Sequence, residues 1–173
     1  MADPHALAFL RIPTDILIAL DYRPFHFAMQ PYHYLVRLLH VLFMAAFFGG
    51  IALLDFRLVG VRSVAPLRSL AAYVQPWLYV SFAVTTVTGV ALFLYDPVHV
   101  GSHVYFTPKL ILIALGLGNA ALFHSTGYAP ALAADYSVSA GARMAGAMSL
   151  LVWTGVVVCA CLNVEAAPKL LLR

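Results

Sequence analysis

His26, His33 and His40 recur every seven residues, and Arg37 falls between the last two. On a helix this spacing lays the side chains along one stripe. Imidazoles with a guanidinium between them suit haem b, in which histidine ligates the iron and arginine pairs with a propionate. His26 precedes Pro31 and lies outside the long helix, so the stripe proper is His33, Arg37 and His40. Asp55 falls about 40° round the same helix from His33, near its far end. Ionisable groups at membrane depth face the bundle interior or a polar cavity, so the stripe is expected to point inward.

A second ligand for His40 has to lie at its own depth. His124 does not. His40 lies ~10 Å and His124 ~25 Å along helices that run in the same direction, an offset of ~15 Å where two axial ligands need ~4 Å. The combinations left are His40 with His33, His99 or His103, with Arg37 as propionate partner. The same imidazoles could instead hold copper or zinc. Cys159 and Cys161 fall at about the depth of His40 but point ~200° apart, so at most one faces this site. His124 could form a second site with a soft ligand from Met148 or Met144, although helix methionines usually pack. The plain alternative is that all these histidines hydrogen-bond to headgroups or water at the interface.

Other polar residues read as structural. Asp55 and Arg57 are expected to anchor one end of the first long helix, pairing with each other or with Arg62. Asn119 and the Thr85–Thr88 stretch suit hydrogen bonds between helices. No nucleophile–base set, phosphate-binding loop or zinc-protease spacing is present, which argues against a hydrolase.

The elements that must carry these residues are membrane helices. The chain is 63% hydrophobic and 10% charged, with a mean hydropathy of +0.91, against a globular norm of roughly 25% charged. A span needs about 20 apolar residues. Four runs qualify, at about 32–59, 76–95, 108–126 and 143–164, punctuated by Pro31, Pro76, Asp96-Pro97, Pro108 and Gly127. The expectation is an all-α, four-helix transmembrane bundle over residues 32–173. Residues 1–31 precede it as an amphipathic segment lying in the interface, with a short helix capped by Thr14. That segment lacks the basic start and long apolar core of a cleaved signal peptide. Ser81, Thr85 and Gly89 recur on one face of the second span, where small residues let helices approach closely.

The ten basic and seven acidic residues form no basic stripe, so nucleic acid is not an expected partner. Arg57, Arg62 and Arg68 crowd the loop after the first span, with Arg143 on the same side. The positive-inside rule puts that side in the cytoplasm and both termini in the periplasm.

Several strings carry a family likeness when taken in order. They are Leu39-His40, Asp55-Phe56-Arg57-Leu58-Val59-Gly60, Gln75-Pro76-Trp77, Thr88-Gly89, Tyr105-Phe106, Lys109-Leu110, Asn119-Ala120 and Phe123-His124. Over about residues 33–160 the chain resembles a family of uncharacterised four-helix proteins of the bacterial inner membrane, a domain of unknown function. The resemblance implies that architecture and location, and no activity. The family's fourth helix ends in a glycine–arginine pair, where this chain has Cys161, Leu162 and Asn163.

Three functions follow as expectations. The first is a small membrane subunit holding haem b near the outer face, for electron transfer or to anchor a redox partner. The second is a cofactor-free structural subunit of a respiratory or photosynthetic complex, or a homo-oligomer. The third is a copper-handling membrane protein.

Overall fold

The computed structural model describes residues 11–61, 66–134 and 138–164. In lipid every backbone amide must be satisfied within its own segment, and an apolar chain without a closed barrel meets this only as helices. The elements are α1 (Thr14–Leu20), α2 (Arg23–Met29), α3 (His33–Val59), α4 (Leu67–Tyr95), α5 (Pro97–Gly101), α6 (Phe106–Thr126), α7 (Tyr128–Ala134) and α8 (Ala140–Val164). Four of them, α3, α4, α6 and α8, are long and apolar enough to cross a bilayer. The protein is an all-α, multi-pass membrane bundle whose outer surface meets lipid. One end carries the start of α3, the end of α4 and the start of α6, and is called here the histidine end. The opposite end is the aspartate end.

Helix boundaries follow local chemistry, with one exception. Gly60 closes α3 in the left-handed conformation, with φ of 105°, and its N–H bonds to the Phe56 carbonyl, a common glycine stop. Asp96 ends α4 and caps α5, its carboxylate accepting from the His99 amide. The exception is α4, which begins at Leu67 and runs through Pro76 rather than starting there. An internal proline forfeits a backbone hydrogen bond. Here the first two turns are held by tertiary packing: Leu67 joins a buried cluster with Leu58, Ala131, Val138 and Ala142, and Ala71 and Val74 are buried beyond it. A second correction concerns Thr14, which is the first residue of α1 and makes no capping hydrogen bond.

The close helix pairs are α3 with α4, α3 with α8, and α6 with α8; α4 and α6 are not a packed pair. The bundle is therefore a row, α4–α3–α8–α6, whose two outer helices meet at the histidine end through Phe93 stacked on Phe106 at 5.1 Å and leave space between them toward the aspartate end. Small residues set the approach. The face of α4 read from the sequence does meet α3: Ser81 is buried, and a Cβ at Gly89 would lie 2.9 Å from the His40 ring. On α8, a Cβ at Gly146 would lie 2.9 Å from Leu58 Cβ and 3.2 Å from the Asp55 carbonyl oxygen.

At mid-depth three rings from three helices meet. Phe47 of α3 lies edge-on to Trp153 of α8 at 4.8 Å and 5.2 Å from Phe82 of α4, with Phe82 6.3 Å from Trp153. This aromatic layer divides the interior in two. The histidine end is capped by α1, α2 and α5, with α1 seated on α5 through Leu17, which is buried against Gly101. Residues 1–10 of the expected interfacial segment lie outside the described residues.

Candidate functional site: a cavity at the aspartate end

At the histidine end the structure distributes the expected ligands over separate partners. The Nδ1–H of His40 points across to α4 and donates to the Thr85 carbonyl at 3.0 Å and the Thr88 hydroxyl at 3.1 Å. The Thr88 hydroxyl in turn donates to the Val84 carbonyl at 2.6 Å. These acceptors fix the tautomer of His40 and leave Nε2 without a proton. His33 donates to the Gln30 carbonyl and stacks on Tyr95 at 5.0 Å. His26 stacks on the same ring at 4.5 Å and donates to the Tyr95 carbonyl. His99 and His103 face each other, edge to face, at 5.1 Å. Arg37 is exposed. Among the described residues no three His, Cys, Asp or Glu side chains converge on a point that could hold a metal.

Lys109 of α6 was not singled out by its sequence context; it is half-buried, with its Nζ 6.0 Å from the centre of the Phe106 ring. Cys159 is buried and Cys161 exposed, both as free thiols, so one of the pair faces inward as helical geometry requires.

Below the aromatic layer the four spanning helices and α7 enclose a cavity of about 240 Å³. It occupies the space that α4 and α6 leave open. Phe47, Phe82 and Trp153 form its roof, and α7 closes its lower side through Tyr128 and Ala131. Asp55 projects into it from α3 and is only 6% exposed. Of its expected partners, Arg62 lies outside the described residues and Arg57 is itself buried. Ser149 of α8, one helical turn beyond Gly146, lines the cavity beside Asp55. Asp55 Oδ2 is enclosed and has no hydrogen-bond partner.

The other polar groups of the cavity are engaged. The Tyr128 hydroxyl donates to Gln75 Oε1 at 2.6 Å, and Gln75 Nε2 donates to the Tyr79 hydroxyl at 2.8 Å. Asn119 Nδ2 donates to the Ala145 carbonyl at 3.0 Å, the hydrogen bond between helices that its type suggested. His124 lines the mouth with its ring 4.3 Å from Tyr128. Met144 and Met148 are 73% and 54% exposed on the outside of α8, so neither joins His124 in a buried second site. Tyr128 lies outside the spans, and its phenol is raised above its ordinary value near 10 by burial and by Tyr79, against a smaller opposing effect of the Gln75 hydrogen bond.

Sequence reasoning missed Ser149, Gln75 and Tyr128 as site residues because each is a common type with no partner nearby in the chain. The available signal was Asp55 itself, a lone carboxylate in an apolar run, which requires donors from other helices.

Comparison with known protein families, with curated proteins and with solved structures finds no match to this chain. The Asp55–Gly60 string has a plain structural meaning. It places a carboxylate in the cavity, buries Arg57 and ends α3 in a left-handed glycine.

Proposed function

We propose that this protein is a membrane-embedded binding protein that holds a small, mostly apolar molecule in the cavity at the aspartate end. The observation that carries this reading is the enclosed Asp55 Oδ2, lacking a partner in a space otherwise lined by apolar and aromatic groups. Small-molecule sites have this form, an apolar concavity with a few fixed polar groups. At about 240 Å³ the space is slightly below the roughly 300–1,000 Å³ of typical ligand pockets, which favours a compact ligand. The gap between α4 and α6 gives access from the bilayer. Arg57, Arg68 and Arg143 belong to the same end as Asp55, so the positive-inside rule turns the cavity toward the cytoplasm of a bacterial inner membrane and the histidine end toward the periplasm.

The test is solvent extraction of protein purified in mild detergent, with mass spectrometry of the extract, compared with Ala120→Phe. Ala120 is an exposed residue at the cavity wall, and a phenyl group there fills the space without entering the packed core. A compound present with the wild type and lost in Ala120→Phe is the expected result. Identical extracts from the two proteins would refute the reading.

A haem b or copper site at the histidine end is the second reading, favoured by one observation. His40 Nδ1–H is held by a backbone carbonyl, the arrangement that orients a ligating histidine and frees Nε2 for the metal. A Soret band in the purified protein, lost in His40→Ala, supports haem. Copper retained by the wild type and lost in the same variant supports the copper form. Absence of both after supplementation during expression sinks this reading.

A further inference from the structure

The chemistry of the cavity restricts its ligand further, on the reading that a ligand is held there. Of its polar groups, Gln75, Tyr79, Tyr128 and Asn119 already bond within the protein. Among the described residues, the one buried polar atom of the lining without a partner is an acceptor, Asp55 Oδ2. No lysine or arginine lines the cavity among the described residues, and His124 stands at its mouth against Tyr128. The remaining walls are mostly leucine, isoleucine and alanine, with the rings of Phe47, Phe82 and Trp153 overhead and of Phe123 and Tyr128 below. A carboxylate in so apolar a space matches a cation that can donate a hydrogen bond, since a buried carboxylate is costly until paired.

We propose that the ligand is an organic ammonium ion bearing at least one N–H on a compact apolar body, with the N–H on the Asp55 carboxylate and the body under the Phe47–Phe82–Trp153 layer. A neutral hydrocarbon would leave the carboxylate unpaired. An anion would meet a carboxyl group in a space that no lysine or arginine lines among the described residues.

Trp153 is a built-in reporter. The chain has two tryptophans, and Trp77 is 64% exposed on α4, so Trp77→Phe leaves one indole, at the cavity roof. This protein, in phosphatidylcholine nanodiscs, is titrated with phenethylammonium, phenethyl alcohol and hydrocinnamate while Trp153 emission is followed. Phenethylammonium is expected to bind saturably and most tightly. Asp55→Asn should weaken it by about tenfold or more, the weight of a hydrogen bond between charged groups, and should leave the alcohol nearly unchanged. Asp55→Glu, which keeps the charge, should retain ammonium binding and guards against a folding defect in the amide variant.

If the alcohol or the carboxylate binds as tightly as the ammonium, or Asp55→Asn leaves the ammonium unaffected, the ligand class is wrong while the cavity reading stands. If none of the three changes Trp153 emission saturably, both fail.

Discussion

The two halves of this bundle use their polar side chains in opposite ways. At the histidine end the imidazoles of His26, His33 and His40 each donate to a backbone carbonyl, and their rings lie on Tyr95 or against Gly89. The unpartnered buried atoms that go with this half are neutral: the Thr85 and Thr107 hydroxyls and the Asn163 amide oxygen. At the aspartate end most polar groups are also paired, but a carboxylate oxygen is left over, on a residue that lines a cavity. A surplus of ligand-type residues therefore does not by itself mark a site. In a low-dielectric interior the more telling signal is an ionisable group whose bonding is incomplete beside a cavity.

The largest test of the boundary between the halves is Trp153→Ala. It removes the ring that touches Phe47, Phe82 and Gly116 and should destabilise the bundle by about 3–5 kcal/mol, read as unfolding in a denaturing-detergent titration. A loss below about 1 kcal/mol would mean that the aromatic layer does not join the halves. Next in size, Gly146→Val drives a side chain into Leu58 and the Asp55 backbone. Overpacking of this kind costs about 1–3 kcal/mol, and it should also weaken ligand binding by shifting Ser149 away from Asp55.

The contrast sharpens in a matched pair. His40→Ala removes a satisfied donor and leaves the Thr85 carbonyl without it, so it should lower stability by about 1 kcal/mol. Asp55→Asn removes an under-bonded carboxylate, so in ligand-free protein it should leave the unfolding midpoint unchanged or raise it. If Asp55→Asn proves the more damaging of the two, the carboxylate is a structural member of the fold rather than a waiting acceptor.

The smallest effect belongs to Tyr128→Phe, which cuts the tie from α7 to Gln75. It should speed amide hydrogen exchange in α7 while leaving α3 and α8 protected. The phenol's value is raised in the folded protein, so the neutral form is the one that folding favours. Its contribution is complete below the ordinary tyrosine value near 10 and is lost as the pH rises through the folded value. Wild-type protein should therefore loosen in alkali more than Tyr128→Phe does, as read by the pH dependence of the unfolding midpoint.

Much of the architecture was legible in the chain. A long apolar run between proline and glycine stops has few options in lipid but a helix, and Gly60, Asp96 and Gly127 end helices for reasons local to themselves. Two residues apart on a helix must diverge, which is why Cys159 is buried and Cys161 exposed. The start of α4 was not legible, because Pro76 is a local signal and what overrides it, the burial of Leu67, Ala71 and Val74, is supplied by residues far away in the chain. The depth argument that separated His40 from His124 also stands: the first bonds to Thr85, and the second lies by Tyr128 at the other end.

What the sequence determined by itself, then, is the set of spanning helices, their direction and the half of the bundle to which each polar residue belongs, since these follow from rise per residue and the position of helix breakers. Only the tertiary structure decided which of those residues are satisfied. Rotation about a helix axis and the choice of neighbour are set by small residues on other helices, such as Gly89 beneath His40 and Gly146 beside Asp55. Those contacts close the histidine end onto itself. They leave the carboxylate of Asp55 under-bonded beside a cavity.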